Sequence, residues 1–199
     1  MTFFSRLRSI AVLALIGLAL TGCGYNVIPT KEEAAKAKWA EVQNQYQRRA
    51  DLVPNLVATV QGYAKQEKDV LREVTEARAK ATAINVTADD LTDPEKVKAL
   101  QQAQAQLSGA LGRLLAVSEN YPDLKSNQNF LALQSQLEGT ENRIAIARRR
   151  YIEAVQEYNN LITVPPTSWT NSFMYHKQPK AQFTATTAGA AEAPKVNFQ

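Results

Sequence analysis

Cysteine and histidine, the side chains that most often carry nucleophilic or metal chemistry, occur once each in this chain, as Cys23 and His176. A single cysteine excludes an internal disulfide, and one histidine without neighbouring ligands cannot assemble a zinc site or a nucleophile–base–acid relay. His176 therefore reads as a solvated residue. Cys23 is different, because it closes Leu20-Thr21-Gly22-Cys23 at the end of an apolar run. Small residues before a cysteine at that place look like a bacterial lipobox, whose chemistry is acylation of the thiol after cleavage of the leader. Arg6 and Arg8 give the leader its positive start, and Ile10 to Leu20 is apolar apart from Gly17. That run is shorter than the ~20 residues a spanning helix takes, so residues 1–22 read as a lipoprotein signal peptide and Cys23 as the lipid attachment residue. The alternative is an uncleaved anchor helix.

Two charged constellations remain. Arg48 and Arg49 precede Pro54, while Glu138 and Glu141 lie beside the apolar stripe of a later segment. The four are either solvated charges or an interhelical pair that holds first and last helices in register. Arg148, Arg149 and Arg150 form a basic cluster with Glu153 within helical reach, which favours a solvated face over a phosphate site. There is no glycine-rich phosphate loop, no metal-ligand spacing and no pair of carboxylates set for acid–base work. No catalytic residue, metal or cofactor is assigned, and an enzyme is not expected. The formal charge is +4, and removing Arg6 and Arg8 with the leader leaves +2. No basic patch is interleaved with aromatics, so nucleic acid is not an expected partner.

These residues must be positioned by helices. The run from Asn127 to Ile162 holds no proline and one glycine, Gly139, and its apolar or small residues recur at threes and fours: Phe130, Leu133, Leu137, Thr140, Ile144, Ala147, Tyr151, Val155, Tyr158 and Ile162. A rod of this kind, ~50 Å long at 1.5 Å per residue, cannot stand alone. Burying each large apolar residue contributes about 1.5–3 kcal/mol, against about 1–2 kcal/mol to order every backbone residue. Partner helices of similar length are required.

Three earlier stretches supply them. Lys31 to Arg49 is rich in helix formers, with Ala35, Trp39, Val42 and Tyr46 on one face. Pro54 predicts a break or sharp kink after Ala50. A second helix is expected from about Pro54 to Ile84, with Leu56, Val60, Tyr63, Val70, Val74, Ala77, Ala81 and Ile84 inward. Asp93-Pro94-Glu95 signals a third helix start, with Asp93 as the cap. That helix runs to about Asn120 with Val97, Leu100, Leu107, Leu111, Leu114 and Val117 inward, and Gly109 and Gly112 are expected to let a neighbour approach closely. After Tyr121-Pro122-Asp123 turns the chain, Ser126 or Asn127 caps the final helix.

The organisation is thus a leader at 1–22, a tether at 23–30, a helical bundle at 31–164 and a tail at 165–199. At 45% hydrophobic and 21% charged, the whole is globular rather than disordered. The fold class is all-α: an antiparallel bundle of about four long helices, coiled-coil-like in its packing, with a partly flexible C-terminal tail. The tail keeps more aromatics than a disordered segment usually does. Trp169, Phe183 and Phe198 are the candidates for contact with a partner, with docking of the tail on its own bundle as the competing expectation.

Three long motifs carry a resemblance: QRRADLVPNLVATVQGYAKQE from Gln47, YPDLKSNQNF from Tyr121 and QLEGTENRIAIARRRY from Gln136. In this order, together with Cys23-Gly24-Tyr25-Asn26 at the start and QPKAQF and PKVNF near the end, the chain resembles the LemA family over nearly all of its length outside the leader. The resemblance implies a helical bundle. It also implies a membrane anchor, which in that family is usually an uncleaved helix just before the Tyr-Asn pair. The expectation is a non-catalytic interaction or scaffold protein of the cell envelope. A chaperone-like periplasmic binder is the alternative, and an envelope enzyme the less favoured one. Expected partners are the membrane, through an N-terminal lipid, and an unidentified envelope protein; a homo-oligomer stays open. The chain is expected outside the cytoplasm. Gly24 rather than Asp after the cysteine points to the periplasmic side of the outer membrane where two membranes exist.

Overall fold

The computed structural model describes residues 26–184, so the leader, Cys23 and Phe198 lie outside the described residues. Four long helices dominate: α1 (Val27–Tyr63), α2 (Lys68–Ala83), α3 (Pro94–Ser118) and α5 (Gln128–Thr163). A 3-10 turn (Asp90–Thr92) precedes α3, a single turn α4 (Pro122–Lys125) joins α3 to α5, and α6 (Thr167–Thr170) runs on into a π turn (Asn171–Tyr175). No strand occurs among the described residues.

The longest elements, α1 and α5, run antiparallel along their whole length. Ile28 at the start of α1 meets Ile162 at the end of α5, and Asn127 at the other end donates to the Tyr63 hydroxyl at 2.8 Å. The α2–α3 hairpin packs on one half of this pair. There all four helices share a core: Leu56 and Val60 of α1, Val74 of α2, Leu107 and Leu114 of α3, and Phe130 of α5. The inward stripe of α5 holds at nine of its ten positions, Leu133 alone being only partly buried. The predicted caps also form. The Asp93 carboxylate accepts from the backbone of Glu95 and Lys96 with Pro94 at the first turn, and Asn127 accepts from the Phe130 backbone at 3.1 Å.

Of the break or sharp kink expected between Ala50 and Pro54, the break is absent. The first helix passes through Pro54 and ends at Tyr63, and the interruption falls instead at Ala64–Glu67. Proline lacks the N–H that would bond the carbonyl four residues back, which here is Ala50. Arg78 of α2 replaces it, donating from Nε to the Ala50 carbonyl at 2.8 Å. Pro54 itself is exposed, so its ring lies at the surface of the bundle. Carrying one period across 54–84 also misplaces residues around the true break: Tyr63 is 45% exposed and Leu71, rather than Val70, is buried. Replacing Arg78 with leucine, which keeps the aliphatic stem and removes the donor, is expected to cost about 1–3 kcal/mol by orphaning that carbonyl. Urea denaturation checks it, and an unchanged midpoint would show that Pro54 needs no such support.

Two smaller expectations also fail. A methyl added at Gly109 or Gly112 meets nothing within 4 Å, so neither glycine mediates a close helix contact. And α1 begins at Val27, so part of the stretch read as tether is helical.

Beyond the α2–α3 hairpin, the α1–α5 pair would be open on one side. The 84–93 connection and the returning tail close it. Trp39 donates from Nε1 to the Val86 carbonyl at 2.9 Å, and Val86, Leu91 and Phe183 complete a second core with Trp39, Val42, Tyr151 and Val155.

Candidate functional site

Of the four charges weighed as an interhelical pairing or as solvated residues, the structure brings two together. Arg49, with its side chain 2% exposed, reaches from α1 to α5 and places Nη1 2.7 Å from Glu141 Oε1. Nη1 also donates to Ser108 Oγ at 2.5 Å, and Nη2 donates to the Gln104 carbonyl at 3.2 Å and to the Gln104 side-chain oxygen. One guanidinium therefore ties α1, α3 and α5. Arg48 is exposed and bonds Gln136 at 3.2 Å, while Glu138 accepts from Gln134 at 3.0 Å, so these two do not pair. Sequence reasoning missed Gln104 and Ser108, which sit on a helix where polar residues at such spacing signal only a wet face.

Next to this junction a cleft of about 320 Å³ opens between α1, the end of α2 and α3, lined by the polar Gln43, Gln47, Thr82, Asn85 and Gln104, by Tyr46, and by apolar residues that include Ile84 and Leu100. Amides and hydroxyls of this kind offer hydrogen bonds in both directions but move no protons near neutral pH. Burial raises the Tyr46 phenol above its ordinary value, which removes it further from that range.

The three arginines at 148–150 do not converge on one point. Arg148 lies 4.5 Å over the Phe183 ring, Arg149 faces Glu153 at 4.0 Å and Arg150 faces Glu41 at 3.8 Å. No group of three or more metal-ligating side chains occurs among the described residues, and His176 stands exposed with a left-handed backbone, φ 51°.

The tail aromatics have separate fates. Phe183, expected as a contact for a partner, is instead 8% exposed and packed in its own bundle, 5.4 Å from Tyr151 and 5.9 Å from Trp39 between ring centroids. Hydrogen bonds zip the extended segment around it to the bundle. Ala181 donates to the Leu91 carbonyl at 2.7 Å and accepts from the Tyr151 hydroxyl at 2.9 Å. Asn159 grips both backbone groups of Lys180, each at 2.9 Å, and Gln101 accepts from the Thr184 N–H at 3.3 Å and donates to its carbonyl. The Lys180 ammonium is buried 3.5 Å from Glu32, which Lys177 also reaches at 2.9 Å. Burial alone would raise the Glu32 carboxyl, but the Lys177 hydrogen bond and the charges of Lys180, Lys177 and Lys36 together hold it below its ordinary value. Trp169 stays 62% exposed, and Phe198 lies outside the described residues.

Comparison with known sequences adds three findings. A sequence model of the family described as "LemA family" matches residues 38–198. The magnetosome proteins MamQ 1 and MamQ 2 of Paramagnetospirillum magneticum are each 29% identical over 180 residues, covering 82% of this chain and 66% of theirs. Protein LemA of Metamycoplasma hominis is 28% identical over 130 residues, covering 65% of this chain and 54% of its own. The chain thus spans just under two thirds of the length of the first two and about half of the third.

Proposed function

The chain belongs to the LemA family, and on that premise we propose that it is a membrane-anchored envelope lipoprotein that acts as a non-catalytic interaction or scaffold protein. The cleft between α1 and the α2–α3 hairpin carries this reading. Its lining sets amides and a hydroxyl among Ala50, Ile84, Val86 and Leu100, a mixture that suits the capture of another polypeptide's surface rather than a reaction. The buried charges of the described residues support the same view, because each is engaged inside the fold: Arg49 in the junction with Glu141, and Lys180 with Glu32. With Phe183 also packed inside, the partner surface proposed is the cleft rather than the docked tail.

Anchoring is proposed through acylation of Cys23, on the strength of the Leu20-Thr21-Gly22-Cys23 sequence, with the bundle outside the cytoplasm and, where two membranes exist, on the periplasmic side of the outer one. No described helix is long and apolar enough to cross a membrane. The test is made in living cells. Photo-crosslinkers at Gln47 and Thr82, on the rim of the cleft, are expected to give one discrete adduct with another envelope protein. Many adducts of varied size would instead mark a chaperone-like binder, and none at either position would defeat the scaffold role. A fatty-acid probe should label the protein and fail to label Cys23→Ala; retention of that variant in the membrane without label would mark an uncleaved anchor.

A further inference from the structure

The largest apolar side chains that the described fold leaves in solvent gather at the end where α1 begins. Val164 is 54% exposed, Trp169 62%, Phe173 83% and Met174 58%, and they follow one another over the elbow that leaves α5. Tyr63 and Leu131, the remaining two large exposed apolar residues among those described, lie at the opposite end. Large apolar side chains clustered within eleven residues of one exposed turn of a folded domain point to an interaction site.

Its position names the occupant. Val27 and Lys31 of α1 line a shallow pocket of about 410 Å³ together with Val164, Pro165 and Thr167, and Ile28 is packed on Tyr158 and Ile162 with Tyr175 beside them. Four residue steps separate Cys23 from Val27, a span of at most ~14 Å even fully extended. Whether the chain is held by a lipid on Cys23 or by an uncleaved Ile10–Leu20 segment, the bilayer surface is brought to this end of the bundle. The charge pattern agrees. No Asp or Glu occurs between Glu157 and Glu192, and Glu157, which lines the same pocket, is paired with Lys31 at 2.6 Å, so the elbow itself adds no carboxylate for anionic headgroups to repel. Tryptophan with flanking Phe and Met is the composition that settles at the headgroup level of a bilayer.

We infer that the elbow from Val164 to Met174 rests in the bilayer interface, with Trp169, Phe173 and Met174 below the phospholipid headgroups. The bundle then stands on the membrane by two points, its N-terminal anchor and this elbow, instead of swinging on one. This placement rests on the anchoring proposed above and is independent of the partner-holding role.

The chain's two tryptophans make the test direct, since Trp39 is 1% exposed inside the core and Trp169 is on the elbow. The full-length protein is reconstituted into vesicles of phosphatidylcholine and phosphatidylglycerol, with a fraction of the lipid brominated near the headgroup end of the acyl chain. Expected is a shift of the emission to shorter wavelength and quenching by bromine, both lost in Trp169→Phe, where Trp39 alone reports. Phe173→Ser with Met174→Ser should lower the quenching of Trp169 while leaving helicity unchanged. Water-exposed emission and no quenching beyond the Trp169→Phe baseline, in protein that sediments with the vesicles, would overturn the inference. So would emission that shifts only on adding envelope proteins, which assigns the elbow to a protein. Protein that does not sediment with the vesicles defeats the anchor and the inference together, while crosslinking at the cleft still decides the scaffold role separately.

Discussion

Arg49→Ala is expected to destabilise the protein by about 3–5 kcal/mol, the range seen when a buried charged tie is cut. The side chain is 2% exposed and joins Glu141, Ser108 and Gln104 on two other helices, so its removal unpins α1 from both at once. Its Nε has no partner, and the whole tie is made through Nη1 and Nη2. Glu141→Gln should cost less, about 1–3 kcal/mol, because the Glu141 side chain is 39% exposed and water can replace part of what is lost. A double-mutant cycle between Arg49 and Glu141 is expected to show coupling of about 0.5–3 kcal/mol, and the cycle between Arg48 and Glu138 strict additivity. Denaturant midpoints measure both. A loss under ~1 kcal/mol for Arg49→Ala, below the usual cost of a cut buried tie, would mean that the junction is ornamental and that the apolar seams alone set the register.

What the sequence made legible follows from which interactions are local. Helical stripes are periodic, so the inward faces of α1, α3 and α5 were readable except near their ends, where Tyr63 is exposed, Leu133 and Val117 are only partly buried and Ser118 takes the buried place beside Val117. Caps are also local: Asp93 with Pro94 and Asn127 with Phe130 lie within three residues of the groups they serve. Pro54 misleads because its repair is remote, the Arg78 donor lying 28 positions from the carbonyl it serves. An arginine at that spacing looks like any solvated helix residue. The Arg49–Glu141 contact was readable as one of two possibilities, since both residues flank apolar stripes. The carboxamide and hydroxyl that share the guanidinium leave no such mark. The Glu32 pair with Lys177 and Lys180 was not legible at all, because the elements between them decide whether residues 148 positions apart meet. The cleft escaped for the same reason: its glutamines, threonine and asparagine come from three segments and carry no periodic signal.

Phe183→Ala is the second large effect expected, and it separates a docked strap from a loose tail. In a packed core a Phe→Ala change costs about 3–5 kcal/mol through lost burial and the cavity left behind. Here the ring sits against Trp39 and Tyr151 and under Arg148. Because the segment follows the last helix, it can release from the bundle without unfolding α1 or α5, so the loss is expected first as local undocking. Undocking uncovers Trp39, which is otherwise 1% exposed. In a Trp169→Phe background the emission of Trp39 should therefore move to longer wavelength at denaturant concentrations that leave helicity intact. Acid should do the same to the unsubstituted strap. Glu32 has its carboxyl held below the unfolded value by Lys177 and Lys180, so its contribution is fully present above the unfolded carboxylate value and is lost as pH falls through the lower, folded one. Glu32→Gln should remove that acid dependence while weakening docking at neutral pH, because it leaves the Lys180 ammonium buried without a counter-charge. Trp39 emission unmoved by Phe183→Ala, with global stability within ~1 kcal/mol of the parent against the few kcal/mol that truncating a core phenylalanine usually costs, would show that the strap adds little to the fold and return Phe183 to the set of residues free to meet a partner.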